Sequence, residues 1–336
     1  MSGGSKTAVF AAIGANCLVM VAKLTGFALT GSGAMLAEGI HSIADVGNQS
    51  LLAIGMNRAA KPPDDEYPEG YTRDAFIWAL ISAVGIFFLG CGVTVAHGVE
   101  SLLSTGHHGV EGAQLSIGIL IFSLVIEGLS LGIAVRELKR AADEEGKGLM
   151  DHIRTTDDPF GVAVLYEDGA AVLGVIIALI AVILSYTTGE HYWDALGSIA
   201  VGALLGLLAV NLVQRNRALL IGKAVNADVR DKLREVLEND PAVESVAISR
   251  AIVDGSDSYR ISAEIDFDGH YVAEQYLVDK DLVEIHGTLD NPEKLKVFLG
   301  DFGEAVMSQI GSEIDRIEKH LIEQVPKAKH IALEPD

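Results

Sequence analysis

The chain has 336 residues, of which 49% are hydrophobic, and a formal net charge of −21 at pH 7. Its mean hydropathy of +0.33 is too high for an ordinary water-soluble domain, so the composition predicts a membrane protein. The acidic balance argues against nucleic-acid binding, which requires clustered Lys and Arg. The two cysteines, Cys17 and Cys91, form neither a CxxC pair nor a disulfide framework, and we interpret them as packing residues.

Six apolar stretches precede residue 216, and each is long enough, at roughly 20 residues, to cross the hydrocarbon core of a bilayer. An even number of spans places both termini on the same side of the membrane. The first stretch has no small-residue cleavage signal, so we expect it to be retained. The predicted spans, one to six, are 7–29, 34–55, 74–97, 113–135, 162–186 and 193–213.

The positions of Lys and Arg between the spans predict the orientation. In a six-span topology, the Lys and Arg residues between the spans all lie on the same side of the membrane. The opposite face has the 30–33 turn, the 100–112 loop with His107 and His108, and the 187–192 loop, which contain no Lys or Arg. We therefore expect cytoplasmic termini. Because the N-terminus also lacks the composition of a transit peptide, we expect a prokaryotic inner membrane.

The C-terminal third is expected to face water. From Ala218 onward there are 13 Lys and Arg against 25 Asp and Glu, so this part carries −12 of the −21 charges. Behind a predicted Asn226 cap, apolar residues at helical spacing indicate a helix. Residues 246–253 and 259–267 read as strands, and a long amphipathic helix before Pro326 precedes a last strand at 330–333.

These patterns predict two domains. Residues 1–217 form an all-α transmembrane transport domain of six helices, and residues 218–336 form a cytoplasmic α+β domain of ferredoxin-like type. Residues 271–292 look like an insertion in the second domain. The histidines of the second domain are scattered along the sequence, so we expect this domain to dimerise rather than to bind metal. They are His270, His286, His320 and His330.

Ionisable residues inside a span are costly, so each is a functional candidate. The densest group, in span two, contains Glu38, His41, Asp45 and Asn48. His41 and Asp45 are four residues apart and share one helix face. An imidazole and a carboxylate suit zinc and neighbouring metals, so the pair predicts half of a metal site. The alternative is a His–Asp hydrogen bond that only packs helices together.

Other spans supply candidate partners. Glu167 and Asp168 of span five point about 100° apart on a helix, so we expect only one of them to bind metal directly. Glu127 of span four is either part of the ion pathway or a hydrogen-bonded carboxyl that holds helices together. Lys23 of span one either snorkels or pairs with a carboxylate. Asp194, at the start of span six, is expected to act as a cap. In the same span Gly202 and Gly206 form a GxxxG, which alone is a weak motif.

Several segments together resemble the cation diffusion facilitator family, in the branch that includes zinc transporter 9. They are TGSGAMLAEGIHSIADVGNQ around span two, LYEDGAAVLGVIIALI of span five, YWDALGS at span six, and the LENDP and AEIDFDG segments near the C-terminus. The resemblance covers nearly the whole chain. It implies a dimeric, proton-coupled exporter of divalent metal, with His41, Asp45 and Asp168 as ligands between spans two and five.

The chain departs from the family pattern at Val164, where most zinc-carrying members have a histidine four residues before the span-five aspartate. The fourth ligand is then Glu167, Asn48 or water. Loss of an imidazole makes the ligand set harder, so manganese, cobalt and nickel join zinc as expected cargo. In the loop after span two, Tyr67-Pro68-Glu69-Gly70 stands where many members have His-Pro-Tyr-Gly, which removes the basis for predicting an accessory site there.

We therefore predict a proton-coupled efflux antiporter for divalent metal ions that works as a homodimer in the lipid bilayer. Zinc is the first expected cargo, before manganese, cobalt and nickel. It is not expected to be an enzyme, to hold a resident cofactor or to bind nucleic acid. A membrane-embedded metalloenzyme is the first alternative, although HExxH is absent. The second is a membrane scaffold whose polar span residues serve packing.

Overall fold

The computed structural model describes residues 3–103, 112–144, 146–155, 159–255, 258–278 and 280–336. His107 and His108 of the predicted 100–112 loop lie outside the described residues, as do Ser256 and Asp257 of the turn between the first two predicted strands. The chain divides into two compact units, Met1–Ile221 and Gly222–Asp336. The last helix of the first unit runs to Ile221 and so continues past residue 217, where the sequence analysis placed the domain boundary.

The first unit is built from helices. A π-helix, Ile86–Val93, joins α3 to α4 within the third predicted span. Gly31 and Gly189 adopt positive φ of 68° and 74°, which lets the chain leave α1 and α7 in the left-handed conformation that favours glycine. The helices are α1 (Gly3–Thr30), α2 (Gly33–Ala59), α3 (Asp74–Gly85), α4 (Thr94–Leu103), α5 (Ala113–Glu144), α6 (Leu149–Thr155), α7 (Pro159–Thr188) and α8 (Tyr192–Ile221).

Four helical segments among the described residues are long and apolar enough to cross a membrane. They are Asp74–Leu103, Ala113–Glu144, Val164–Thr188 and Tyr192–Ile221, and a shorter apolar segment covers Asn16–Thr30. Helix α2 does not belong to this set, because Glu38, His41, Asp45 and Asn48 lower its hydropathy. Within the residues that the structure describes, the first unit is thus a helical membrane unit with four apolar spans.

Small residues bring α8 close to α4 and the π-helix. A Cβ added to Gly202 would lie 2.7 Å from Val95 Cγ2 and 3.1 Å from the Val95 backbone nitrogen. A Cβ added to Gly206 would lie 2.9 Å from Cys91 Sγ. The two glycines of the GxxxG therefore leave the space that Val95 and Cys91 occupy. Beside them, Ile86, Val201 and Leu205 belong to one buried cluster.

The second unit is a small α/β unit with a three-stranded mixed sheet. The strands are ordered β1-β2-β3, with β1 and β2 antiparallel and β2 and β3 parallel. A parallel pair needs a long crossover connection, which the helices between β2 and β3 provide. The elements are α9 (Ala227–Glu238), β1 (Val243–Gly255), β2 (Ser258–Phe267), α10 (Gly269–Leu277), α11 (Leu282–Thr288), α12 (Pro292–Gln324) and β3 (Ala328–Pro335).

The core of this unit lies between the sheet and two helices. Fully buried apolar side chains come from α9 (Leu233, Leu237), β2 (Ile261, Ile265) and α12 (Ile317, Leu321). In β2 the fully buried side chains Ile261, Ala263 and Ile265 alternate along the strand, as expected for a period of two. The predicted insertion at 271–292 consists of most of α10, all of α11 and the start of α12. There the Asn291 side chain accepts a hydrogen bond from the Lys294 N–H, and Pro292 occupies the first turn.

Candidate metal site

Helix α2 places the predicted span-two residues in the interior of the first unit. His41 is fully buried, and its Nε2 lies 3.3 Å from Asp45 Oδ2, one turn further along. Among the described residues, neither ring nitrogen of His41 has a hydrogen-bond partner of normal geometry. A buried imidazole without such a bond is costly, and its unprotonated nitrogen is available to a metal ion or to a proton.

The start of α2 is fixed by a residue from another helix. Asp194, in the first turn of α8, accepts hydrogen bonds from Ser32 Oγ at 2.6 Å and from the Gly33 N–H. The carboxylate also lies at the positive end of the α2 dipole, which it complements. The sequence indicated a cap at Asp194. The structure shows that Asp194 caps α2 rather than α8. This contact fixes the start of the helix that carries His41 and Asp45.

Four carboxylates from three helices line one small cavity. Asp45 comes from α2, Glu127 from α5, and Glu167 and Asp168 from α7. Ser42, Gln49 and Ser130 also line it. The cavity has a volume of about 20 Å³, room for about one water-sized particle. His41 reaches it through its contact with Asp45 and is not part of the lining.

Both acidic residues of span five face this cavity, although they are adjacent on α7. Asp168 Oδ2 accepts a hydrogen bond from Ser130 Oγ at 2.8 Å. The amide of Asn48 approaches Glu167, but its Nδ2 makes no hydrogen bond of normal geometry. The Asn48 Oδ1 accepts a hydrogen bond from Ser82 Oγ at 2.6 Å. The oxygen of Asn48 is therefore engaged with α3, and Asn48 does not line the cavity.

A buried ion triad adjoins the cavity. The ammonium of Lys23 on α1 lies 2.8 Å from Glu38 Oε2 and 2.6 Å from Glu127 Oε1. The Lys23 side chain is 1% exposed, so it pairs with carboxylates and does not snorkel. The sequence showed a cation in span one, but its two partners lie 15 and 104 residues away and could not be found from spacing.

The described ranges contain no group of three or more His, Cys, Asp or Glu side chains close enough to hold a metal ion together. The four cavity carboxylates are instead spread around a shared space. Val164, at the position where the family pattern has a histidine, is 43% exposed and does not line the cavity. To hold a metal ion together, these four carboxylates would have to move toward the centre of the cavity.

The loop between α2 and α3 is closed by its own hydrogen bonds. Tyr71 Oη donates to Asp64 Oδ2 at 2.7 Å, and the N–H groups of Glu66 and Tyr67 donate to Asp64 Oδ1. The hydrogen bond to Asp64 raises the pKa of Tyr71 to about 12. The same hydrogen bond is the largest of the effects that lower the pKa of Asp64. Asp64 thus organises the loop.

Residues 9–221 match the family profile of the cation efflux transmembrane domain. The chain therefore belongs to the cation diffusion facilitator family, whose members are membrane transporters rather than enzymes. The family inferred from the motifs of spans two and five is confirmed.

Particular relatives match almost the whole chain. Metal tolerance protein C4 of Arabidopsis thaliana is 40% identical over 98% of this chain and 73% of its own length. The human proton-coupled zinc antiporter SLC30A9, mitochondrial, is 38% identical over 98% of this chain, which spans only 58% of that protein. The manganese efflux system protein MneP of Bacillus subtilis is 25% identical over 69% of this chain and 73% of its own length.

These relatives correct the expected location. The prediction of a prokaryotic inner membrane is wrong, because the relatives that match along 98% of the chain are plant and animal proteins, and the human one is described as mitochondrial. They point to a eukaryotic organellar membrane. The prediction was based on the composition of the first residues, which is no guide to the membrane here, and the Lys and Arg between the spans report only which loops share a side.

Proposed function

We propose that this protein exports a divalent metal ion, zinc in the first place, in exchange for protons. The observation that carries the proposal is the small cavity lined by Asp45, Glu167 and Asp168, with His41 in contact with Asp45. Carboxylates and an imidazole suit zinc and also manganese, cobalt and nickel. The names of the human zinc antiporter and of the bacterial manganese efflux protein support this range.

Exchange follows from competition for the same lone pairs. A metal ligand must be deprotonated, so cargo binding releases protons and protonation on the other side releases cargo. The imidazole of His41 and the carboxylates of Asp45 and Asp168 bind either a metal ion or a proton, so the same side chains can carry both ions of the exchange. In this proposal His41, Asp45 and Asp168 bind the ion directly, Glu127 lines the cavity that the ion enters, and Glu38 and Asn48 support the surrounding helices.

The finer architecture is part of the same proposal. We place α1 and α2 in the membrane beside the four apolar spans, which makes six transmembrane helices in 1–217. The 218–336 domain is assigned to the ferredoxin-like class and to dimerisation. A mixed sheet covered by helices supports the ferredoxin-like class, and membership of the family supports a homodimer.

The test uses the purified full chain in proteoliposomes with an imposed pH gradient. Wild type is expected to take up zinc and to move protons when zinc is added. His41→Ala and Asp45→Ala should reduce uptake to the level of empty vesicles and leave a folded protein. Glu144→Ala, at the exposed end of α5, is the control and should transport normally. Normal uptake by both site variants would overturn the assigned site.

The same vesicles separate the alternatives. Competition among zinc, manganese, cobalt and nickel ranks the cargo. A membrane scaffold or a membrane-embedded metalloenzyme would produce no metal-stimulated proton flux. Absence of that flux in wild-type vesicles would therefore contradict the proposed transport activity itself.

A further inference from the structure

The two carboxylates of the ion triad differ in their surroundings. Glu38 is fully buried and is not among the residues that line the cavity. Glu127 lines the cavity together with Asp45, Glu167 and Asp168. One ammonium faces two carboxylates, so Lys23 leaves the ionised triad with a net charge of −1 inside the protein. Uncompensated buried charge is costly, and a cation in the adjoining cavity would compensate it.

The two oxygens of Glu127 have different roles. Its Oε1 accepts the hydrogen bond from Lys23 Nζ at 2.6 Å. Its Oε2 is buried and, like Oε1 of Glu38, has no hydrogen-bond partner among the residues that the structure describes, and the Glu127 side chain is only 10% exposed. A buried carboxylate oxygen without a donor pays the full cost of its desolvation. Lys23 thus holds Glu127 beside the cavity with one oxygen free to bind a cation.

The other candidates for a fourth cargo ligand are less suitable. Val164 has no donor atom. The Asn48 Oδ1 is bonded to Ser82, and Asn48 does not line the cavity. Glu167 does line it, but it shares α7 with Asp168, which already supplies a ligand from that helix. Glu127 lines the cavity from a third helix, α5, which supplies none of the other three ligands.

We propose that Glu127 is a direct cargo ligand, in place of the imidazole missing at Val164, and that Lys23 is the residue that positions it. This assignment rests on the proposed function. The ligand set is then His41, Asp45, Asp168 and Glu127, drawn from α2, α7 and α5. It contains one nitrogen and three carboxylates, which suits zinc and also admits the harder manganese ion.

The first test measures zinc binding to the detergent-purified full chain by calorimetry. The matched pair is Glu127→Gln and Glu38→Gln, because both remove one carboxylate that is bonded to Lys23. Loss of a residue that only supports a metal ligand weakens binding by about 10–100-fold. We expect Glu127→Gln to raise the zinc Kd by more than about 100-fold, above the range of a supporting residue, and Glu38→Gln to raise it by about 10-fold, at the low end of that range.

A second measurement separates a ligand from a structural residue. Glu127→His should restore a second imidazole and raise the preference for zinc over manganese by about 10-fold or more, since imidazole suits zinc and carboxylate suits manganese. Glu38→His should leave that preference unchanged. Equal selectivity of the two histidine variants would overturn the assignment.

A double-mutant cycle tests the positioning role of Lys23. Lys23→Met should weaken zinc binding in wild type and in Glu38→Gln, but should add nothing in Glu127→Gln, because the residue that it positions is no longer a ligand. An additive effect in the Glu127→Gln background would show that Lys23 acts through the fold alone.

Folding failure does not remove the test. If Glu127→Gln gives no folded protein, Glu127→Asp keeps the charge and withdraws the carboxylate by one methylene. It should still weaken zinc binding, and an unchanged Kd would overturn the ligand assignment. If wild type binds zinc but shows no exchange for protons in vesicles, the proposed function fails while the binding data still decide the role of Glu127.

Discussion

The carboxylates of this protein act differently according to what surrounds them. Asp194 is used to cap α2, Asp64 to close a loop, and Glu38 to balance Lys23. Asp45 and Asp168 instead face a cavity. An acidic residue is therefore a functional candidate only until its neighbours are known. Most of these neighbours come from other helices or from the same loop, whereas Asp45 contacts His41 on its own helix.

Glu167 and Asp168 permit a test of unequal roles at adjacent positions. We expect Asp168→Ala to reduce pH-driven zinc uptake more severely than Glu167→Ala, because the family pattern assigns the ligand position to Asp168. Uptake into proteoliposomes at several zinc concentrations measures both. Equal and mild losses would show that span five does not bind the ion directly.

Asp240 in the second unit predicts a pH-dependent stability. Burial raises its pKa, but two hydrogen bonds from Arg316, at 2.6 and 2.8 Å, and one from the Ala242 N–H outweigh burial and lower it. A lowered pKa stabilises the fold above the unfolded value, about 3.9, and this contribution is lost as the pH falls through the folded pKa.

Asp240→Asn should therefore destabilise the second unit by about 1–3 kcal/mol at pH 7, the range of a hydrogen bond to a charged group. The difference from wild type should stay constant down to about pH 5 and shrink below about pH 4. Thermal unfolding of the full chain across this range measures it, with Asp301→Asn, exposed on α12, as the control. A difference that grows in acid would contradict the assignment.

At the scale of elements, contacts between helices decide which glycines matter. Gly202 lies against Val95, whereas a Cβ on Gly132 of α5 would meet nothing within 4 Å. Sequence alone does not separate them, since both glycines lie in apolar helices. The difference comes from which helix face is covered by a neighbour.

Gly202→Ala is expected to lower the thermal stability, because overpacking costs about 1–3 kcal/mol. Gly132→Ala should keep or raise it, since glycine is about 1 kcal/mol worse than alanine inside a helix. Melting of the two variants in detergent, followed by size-exclusion chromatography, compares them. A larger loss in Gly132→Ala would contradict the packing of α8 against α4.

For the whole molecule, the separate core of Gly222–Asp336 predicts independent folding. Leu233, Ile261 and Leu321 are buried within this unit. Residues 222–336 expressed alone should show a cooperative thermal transition and the circular dichroism of a mixed α/β fold. A gradual transition without cooperativity would show that the unit depends on the helices before it.

Much of the fold could be predicted because it is encoded locally. Hydropathy and length located the four apolar spans, and the alternation around Ile261 and Ile265 located β2. The order and direction of the strands could not be predicted, because β3 pairs in parallel with a strand about 70 residues earlier through a crossover that leaves no periodic signal. Helix α2 shows a different limit. Its polar residues indicate its role, but the same residues lower its mean hydropathy below that of the four apolar spans.

The sequence by itself determined the class of protein, the helix that carries His41 and Asp45, and the side of the helix that they share, because spacing along a helix is a local property. Only the tertiary structure decided that Lys23 binds Glu38 and Glu127, that Asp194 caps α2, and that Glu127 faces the cavity. These contacts join residues far apart in the chain, and their partners are selected by packing and by the cost of leaving a buried charge unpaired.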